Sequence, residues 1–319
     1  MKARILGTGS FVPEHRLTND DLSRMVETSD SWIQERTGIR ERRISDEGTT
    51  AMAVKASLKA LENAAVNVDE LDLILAATAT SDYLFPGTAC QVQAALGAGQ
   101  AACFDISAAC AGFVFALNTA QAYIAAGFAK KVLIIGAETL SKIIDWNDRS
   151  TCILFGDGAG AAVIGADETG ILSIDMGSNG VKGMVLPCEG RPLINPLVNK
   201  PVNIQHVQMD GQEVFKFAIR TVPESILKAL QKANVAKEDV KHYVLHQANQ
   251  RILHSVAKSL TIPLDKITIN INQYGNTSAA SVPILLDEKN QKGDFKKGDL
   301  VVISAFGAGL NWGSVVLNW

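Results

Sequence analysis

The feature that most constrains the fold is an internal repeat at a constant offset of 169 residues. The tetrapeptide Leu58–Leu61 recurs as Leu227–Leu230 (227 − 58 = 169), and Val66 is matched by Val235 (235 − 66 = 169). In both copies a helix-like segment is followed by a short acidic turn and an apolar, strand-like run. The same elements repeated in the same order predict a duplicated fold.

The apolar runs identify the fold class. Segments dense in Val and Ile alternate with helix-like segments: LDLILAATAT (71–80), KVLIIGAE (131–138), KHYVLHQAN (241–249) and DLVVISAFG (299–307). Strands buried on both faces have this composition, and their alternation with helices predicts an α/β fold. No polar or Pro/Gly-rich linker separates the repeats. We therefore expect two halves, residues 1–168 and 169–319, with the site where strand ends of the two halves meet.

Composition excludes several function classes. A net charge of -3 provides no general basic field, so we expect no nucleic-acid partner. The N-terminus lacks the apolar core of a signal peptide, and the most apolar stretch, residues 108–129, contains Asn118 and Gln121, so we predict a buried helix and no membrane partner. The five cysteines form no CxxC pair, which favours reduced thiols in the cytoplasm over disulfides or a metal site.

Cys110 is the first candidate for chemistry. It lies in DISAACAGFVFAL (105–117), between a strand-like run and the apolar helix pattern of residues 112–126. A thiol on the first turn of a helix faces the positive end of the helix dipole, which predicts a lowered pKa. Its small neighbours leave room for a substrate. The local pattern alone is more typical of a buried core cysteine than of a nucleophile, so this alternative stays open.

Two further polar residues lie in the second half. His246 ends a buried strand, and Asn276 follows a glycine turn. The loops 155–162 and 306–313 are Gly-rich but lead into strands and carry no GK[ST], which excludes a phosphate loop and leaves half of an oxyanion hole as a role. Cys, His and Asn together serve either a cysteine peptidase or a decarboxylating Claisen condensation.

Several motifs in order then resemble one family. The sequence is similar to the β-ketoacyl-acyl carrier protein synthase III condensing enzymes of the thiolase superfamily. The matching segments are SWI (31–33), RTGI (36–39), ACAG (109–112), FGDGAG (155–160), HQAN (246–249), GNTS (275–278), and FG (306–307) with WG (312–313). The resemblance extends over nearly the whole chain and implies a duplicated five-layer αβαβα thiolase-like fold with two pseudo-twofold-related halves.

The resemblance also implies a reaction. Cys110 would accept the acyl group of a short acyl-CoA, with acetyl-CoA the favoured starter. The backbone N–H groups of Cys110 and Ala308 would form the oxyanion hole. His246 and Asn276 would then bind the thioester oxygen of malonyl-acyl carrier protein during loss of CO2. The product would be a 3-oxoacyl-acyl carrier protein, and the enzyme would initiate fatty acid synthesis without a cofactor or metal.

Other residues match the family's binding sites. Those implied to bind CoA are Trp32, Arg36, Arg149 and Asn249, with the adenine of CoA held between Trp32 and Arg149. Those implied to line the acyl pocket are Phe155, Met209 and Phe306, with Phe85 reaching across a homodimer interface. Four cations at helical spacing are typical of a solvated face, but the acidic carrier protein makes them a docking prediction: Lys216, Arg220, Arg251 and Lys258.

The remaining alternatives differ in what they require. A thiolase needs a second catalytic cysteine near the C-terminus, but no cysteine follows Cys188. A chalcone-synthase-like enzyme carries a GFGPG loop, whereas this chain has FGAGLNWG. A related condensing enzyme of secondary metabolism would share all catalytic residues and use another starter or extender. A cysteine hydrolase would release the acyl group to water, and a scaffold would form no adduct.

Overall fold

The computed structural model describes residues 1–319, which fold into thirteen β-strands and ten α-helices. The strands are β1 (Lys2–Phe11), β2 (Arg16–Thr18), β3 (Glu41–Arg43), β4 (Leu73–Ala77), β5 (Ala102–Ile106), β6 (Lys131–Glu138), β7 (Gly158–Asp167), β8 (Ile171–Ser178), β9 (Leu193–Asn195), β10 (Val198–Lys200), β11 (His242–Leu245), β12 (Leu300–Gly307) and β13 (Asn311–Asn318). The helices are α1 (Asn19–Leu22), α2 (Asp30–Thr37), α3 (Thr49–Ala64), α4 (Thr88–Leu96), α5 (Gly112–Ala125), α6 (Arg149–Cys152), α7 (Gly211–Ala233), α8 (Gln250–Leu260), α9 (Ile271–Tyr274) and α10 (Ser281–Gln291).

Two sheets repeat one strand order. The first runs β1-β7-β6-β4-β5 and the second β8-β13-β12-β11, with β6 and β12 at the same place in each. Both strands are eight residues long and begin 169 residues apart (300 − 131 = 169). The fifth strand of the second sheet is reduced to a parallel bridge between Tyr243 and Ile267. The proposed boundary at residue 168 falls in the turn between β7 and β8.

Alternation along the strands creates the layers. In β4, Leu73 and Leu75 face a central core shared with α5, whereas Ile74 faces the outer core formed with α3. Helices α5 and α10 contribute to the central core between the sheets. Helices α3 and α4 cover the outer face of the first sheet, and α7 and α8 cover that of the second. The predicted duplicated five-layer αβαβα fold is confirmed.

The repeat extends to single backbone conformations. Ala65 and Asn234 end the outer helices α3 and α7 with φ of 52° and 54° (234 − 65 = 169). Ala109 and Ser278, at φ of 45° and 49°, begin the 3-10 turns that precede the central helices (278 − 109 = 169). Positive φ in a residue with a side chain costs on the order of 1–2 kcal/mol. The same strained turn therefore starts both central helices.

A smaller core at one end of the halves supports the entrance to the site. It joins α2, α6 and α9 and includes Ile33, Phe155 and Ile271. Arg42 is fully buried beside this core and donates to the carbonyl oxygen of Ile153 at 2.6 Å. Burial lowers the pKa of Arg42 to about 10, so it remains a cation at neutral pH. None of the helices combines the length and apolar composition needed to span a bilayer.

Candidate active site

One cavity between the halves contains the three candidate catalytic residues. Its volume is about 600 Å³, and Cys110, His246 and Asn276 all line it. Cys110 follows β5, and His246 directly follows β11. Asn276 lies between α9 and the Ser278–Ala280 turn. The site therefore lies beyond the carboxyl ends of strands from both halves, as the duplicated α/β fold predicts.

Cys110 is buried in the 3-10 turn Ala109–Ala111, just before α5 rather than within its first turn. Gly307 of the second half lies against it: a Cβ atom there would come within 2.7 Å of the Cys110 nitrogen. Burial raises the pKa of the Cys110 thiol to about 12, and a hydrogen bond with Ser278 only partly offsets this. The prediction of a lowered pKa is wrong, because desolvation outweighs the backbone dipoles.

His246 is held as a neutral ring. Its backbone N–H donates to the Ser304 carbonyl oxygen at 2.8 Å, which continues the pairing of β11 with β12. The ring meets Phe306 edge-on at 5.5 Å between centroids, and Nδ1 lies 2.6 Å from Ser281 Oγ. Burial lowers the pKa of His246 to about 3. At neutral pH the imidazole is therefore uncharged.

Asn276 is oriented by the backbone around it. Its N–H donates to the Leu154 carbonyl oxygen at 2.8 Å, and its Oδ1 accepts from the Ser278 N–H at 2.9 Å. Because Oδ1 is engaged, the Nδ2 group, which makes no hydrogen bond within the protein, is the one available to a ligand. A neutral histidine and an amide group beside a cysteine suit an oxygen that gains negative charge during reaction.

Trp32 and two arginines form a stacked group near the cavity entrance. The guanidinium carbons of Arg36 and Arg149 lie 4.6 and 4.8 Å from the Trp32 ring centroid. A planar base between Trp32 and Arg149 would need a separation of about 7 Å, twice the ~3.5 Å of van der Waals contact. The expected sandwich is thus closed in this structure, because Arg149 occupies the ring face itself. Trp32 and Arg36 line the cavity, whereas Arg149 does not.

Asn249 also lines the cavity and links two elements. It caps α8 by accepting from the Arg251 N–H at 2.8 Å, and its Nδ2 donates to the Arg36 carbonyl oxygen at 3.0 Å. One N–H of its amide remains for a ligand.

The predicted acyl-pocket residues are divided by the structure. Phe155, Met209 and Phe306 line the cavity, but Phe85 is 83% exposed and does not line the cavity of its own chain. Ala308 lies in the turn after β12, directly after Gly307, and its carbonyl oxygen accepts from Asn311 Nδ2 at 2.9 Å. Its neighbour in sequence thus touches Cys110, although Ala308 itself does not line the cavity.

The four predicted docking cations are exposed on α7 and α8, which pack against each other. Lys216 and Arg251 line the cavity, whereas Arg220 and Lys258 do not. Lys216 pairs with Glu213 at 2.9 Å, and the Arg251 guanidinium lies 5.7 Å from the Phe215 ring centroid. The structure therefore places two of the four at the entrance.

Part of the cavity wall was not predicted from the sequence. Leu154, Phe215 and Leu310 line it, but apolar residues of this kind have the same pattern as core residues. Ser281, the hydrogen-bond partner of His246, was not predicted either, because one serine at the start of a helix carries no distinguishing signal.

The fold and the cavity together define a class. A duplicated five-layer αβαβα fold with cysteine, neutral histidine and asparagine in one cavity between its halves is the arrangement of a thiolase-like condensing enzyme. No group of three or more His, Cys, Asp or Glu side chains is arranged to hold a metal ion.

Comparisons with known proteins identify the family. Residues 104–180 match the family described as 3-Oxoacyl-[acyl-carrier-protein (ACP)] synthase III, and residues 230–319 match its C-terminal region. A relative from Clostridium acetobutylicum, named Beta-ketoacyl-[acyl-carrier-protein] synthase III, is 48% identical over 99% of this chain and 98% of its own. The chain belongs to the 3-oxoacyl-[acyl-carrier-protein] synthase III family and is an acyltransferase-type condensing enzyme.

Solved structures agree with this assignment. The 3-oxoacyl-[acyl-carrier-protein] synthase III from Aquifex aeolicus superposes with a TM-score of 0.94 at 46% identity, covering 99% of this chain and 100% of that one. A priming β-ketosynthase from the R1128 polyketide biosynthetic pathway superposes with a TM-score of 0.92 at 35% identity, covering 99% and 96%.

Proposed function

We propose that this enzyme initiates fatty acid synthesis by condensing a short acyl-CoA, acetyl-CoA first, with malonyl-acyl carrier protein through an acyl-Cys110 intermediate. The observation that carries the proposal is the grouping of Cys110 with neutral His246 and Asn276 in one cavity that Trp32 and Arg36 also line. A reaction that generates an enolate needs a nucleophile and two hydrogen-bond donors close together.

The first half-reaction transfers the acyl group. Cys110 sulfur attacks the thioester carbonyl, a carbon–sulfur bond to Cys110 forms, and the bond to CoA breaks. Because the pKa of the Cys110 thiol is about 12, its proton leaves as the substrate reacts and is taken up by the departing CoA thiolate. The backbone N–H groups of Cys110 and Ala308 stabilise the oxyanion of the tetrahedral intermediate.

The second half-reaction forms the carbon–carbon bond. His246 and Asn276 donate hydrogen bonds to the thioester oxygen of the malonyl group, and loss of CO2 leaves an enolate on that oxygen. The enolate carbon attacks acyl-Cys110, the 3-oxoacyl thioester leaves on the carrier protein, and the Cys110 thiolate takes a proton from water. Charge develops on one oxygen between two donors, so this scheme requires no metal or organic cofactor.

Binding of the two substrates uses different surfaces. Trp32, Arg36, Arg149 and Asn249 hold CoA once Arg149 has moved from the Trp32 ring. Lys216, Arg220, Arg251 and Lys258 attract the acidic carrier protein by their position on α7 and α8, two of them at the cavity. Exposed cations act mainly on encounter rate and salt dependence.

A homodimer accounts for the exposure of Phe85. Tyr83, Leu84 and Phe85 are 60%, 66% and 83% exposed on one loop, an unusual concentration of large apolar side chains. We place this loop against a second copy, where Phe85 closes the partner's acyl pocket and limits it to short acyl groups.

The enzyme works in the cytoplasm, where both thioester substrates occur.

The alternative is a related condensing enzyme with another starter or extender. The 35% identical priming β-ketosynthase has the same fold, so fold alone does not select the starter. A cysteine hydrolase is less favoured, because its histidine must take up a proton during the reaction. Burial lowers the pKa of His246 to about 3, so this ring is a weak base at neutral pH.

The test is a panel of acyl-CoA starters of increasing length and branching, assayed with malonyl-acyl carrier protein. Acetyl-CoA is expected to give the highest kcat/KM, and Phe85→Ala is expected to shift the optimum to longer chains. A branched or longer optimum in the wild type would support the alternative. Absence of any 3-oxoacyl product with every starter would overturn the proposed function.

A further inference from the structure

The Nδ1 atom of the His246 ring has a single hydrogen-bond partner. Nδ1 lies 2.6 Å from Oγ of Ser281, which is buried at the first position of α10. The same Oγ accepts the backbone N–H of Gln247 at 3.3 Å. The proposed reaction brings no substrate atom to Ser281 and gives this residue no role.

We propose that Ser281 is a positioning residue that fixes His246 in the tautomer whose proton is on Nε2. The inference rests on the proposed function, because this proton is the one that His246 would donate to the malonyl thioester oxygen. Ser281 itself acts only through His246.

The argument follows the single proton of the Ser281 hydroxyl. Since Oγ accepts from Gln247, its own proton needs an acceptor, and His246 Nδ1 is the only one within hydrogen-bond distance. The carbonyl oxygen of Thr277, one turn back, accepts from the Ala280 N–H and makes no bond with Ser281. A hydroxyl that donates to Nδ1 requires Nδ1 to be unprotonated, which leaves the proton of the neutral ring on Nε2.

The opposite tautomer would leave a buried polar hydrogen unpaired. If Nδ1–H donated to Oγ, the Ser281 proton would have no acceptor, a penalty that corresponds to roughly ten-fold or more in the tautomer ratio. Nε2 makes no hydrogen bond within the protein, so its proton is available in the cavity.

The hydroxyl is a property of the second half only. The residue 169 positions before Ser281 is Gly112, at the start of the matching helix α5, and it has no side chain. The first half therefore uses this turn to hold Cys110, and the second half uses it to orient His246. The two halves of the repeat have diverged at corresponding positions.

The test is a nitrogen–proton correlation spectrum of the full-length enzyme with ¹⁵N-labelled histidine rings, with His246 assigned by the signal missing from His246→Gln. In the wild type at neutral pH, Nδ1 is expected at the unprotonated position and Nε2 at the protonated position. In Ser281→Ala, the two forms are expected to exchange and give averaged signals. A protonated Nδ1 in the wild type, or an unchanged spectrum in Ser281→Ala, would overturn the inference.

Kinetics provide the functional readout. Ser281→Ala is expected to lower kcat for decarboxylation of malonyl-acyl carrier protein roughly ten-fold, with the rate of Cys110 acylation unchanged. The matched control is Ser57→Ala, a fully buried helix serine that bonds the Ala53 carbonyl oxygen at 2.7 Å and should leave both rates unchanged. Because the spectrum needs no turnover, an inactive wild type would refute the proposed function and leave the tautomer assignment measurable.

Discussion

Replacing Gly307 with alanine tests whether the second half of the fold holds the nucleophile of the first. The new Cβ would lie 2.7 Å from the Cys110 nitrogen, 2.9 Å from its Cβ and 3.1 Å from its Cα, where ordinary contact begins at 3.4 Å. The neighbouring atoms are mainly backbone, which cannot rotate away. Relief of the shortest contact therefore moves the Cys110 turn by about 0.7 Å (3.4 − 2.7 = 0.7).

The expected cost follows from this displacement. Overpacking a tight site destabilises by roughly 1–3 kcal/mol. A misplacement near 1 Å at a reacting atom costs on the order of 100-fold in rate, so we expect Cys110 acylation to slow by roughly 10- to 100-fold. Protein that remains folded should show the loss in the acylation rate rather than in binding of acyl-CoA.

The assay is single-turnover acylation of Cys110 by acetyl-CoA, followed by intact-protein mass, with stability measured by urea denaturation. Gly99→Ala is the control, because a Cβ at Gly99 meets no atom within 4 Å. An acylation rate within two-fold of wild type, as a rough criterion, in folded Gly307→Ala would refute the reasoning that this glycine sets the Cys110 position.

Three further predictions concern pH and binding. The pKa of His246 in the folded protein, about 3, lies below its ordinary value of 6.5. The neutral ring therefore contributes stability that is present above pH 6.5 and declines as pH falls. At pH 5 the free energy of unfolding of the wild type, measured by urea denaturation, should fall by roughly 2 kcal/mol more than that of His246→Gln. Alkylation of Cys110 by iodoacetamide should accelerate roughly ten-fold per pH unit from about pH 7 to 9, because the pKa of the thiol is about 12, and a rate that is flat with pH would contradict this. Arg36→Ala should raise KM for acyl-CoA about ten-fold. Arg220→Ala should raise KM only for the carrier protein, and only at low salt. If either variant affected both substrates equally, the assignment of separate binding surfaces would be contradicted.

The architecture was predictable because the repeat is visible in short segments of the sequence. The 169-residue offset seen in Leu58–Leu61 and Val66 also relates β6 to β12 and the turns at Ala109 and Ser278. Apolar strand runs and helix ends depend on neighbours in sequence, so they are legible without coordinates. The resemblance then led from the fold to a particular set of residues.

The features of the site that were predicted wrongly or not at all depend on distances between segments that are remote in sequence. The pKa of Cys110 was predicted to be low from its position before a helix, but burial from both halves raises it. The place of Arg149 directly on the Trp32 ring, and the contact of Gly307 with Cys110, are also tertiary. Ser281 acquires its role only because β11 brings His246 beside α10.

The most direct test of the account is the fate of the acyl group on Cys110. The enzyme is incubated with acetyl-CoA until the intact mass shows one acetyl adduct, mapped to Cys110, and malonyl-acyl carrier protein is then added. The account predicts that the adduct disappears as 3-oxobutanoyl-acyl carrier protein and CO2 form in equal amounts. Loss of the adduct as free acetate, or failure of Cys110 to be acylated, would contradict it.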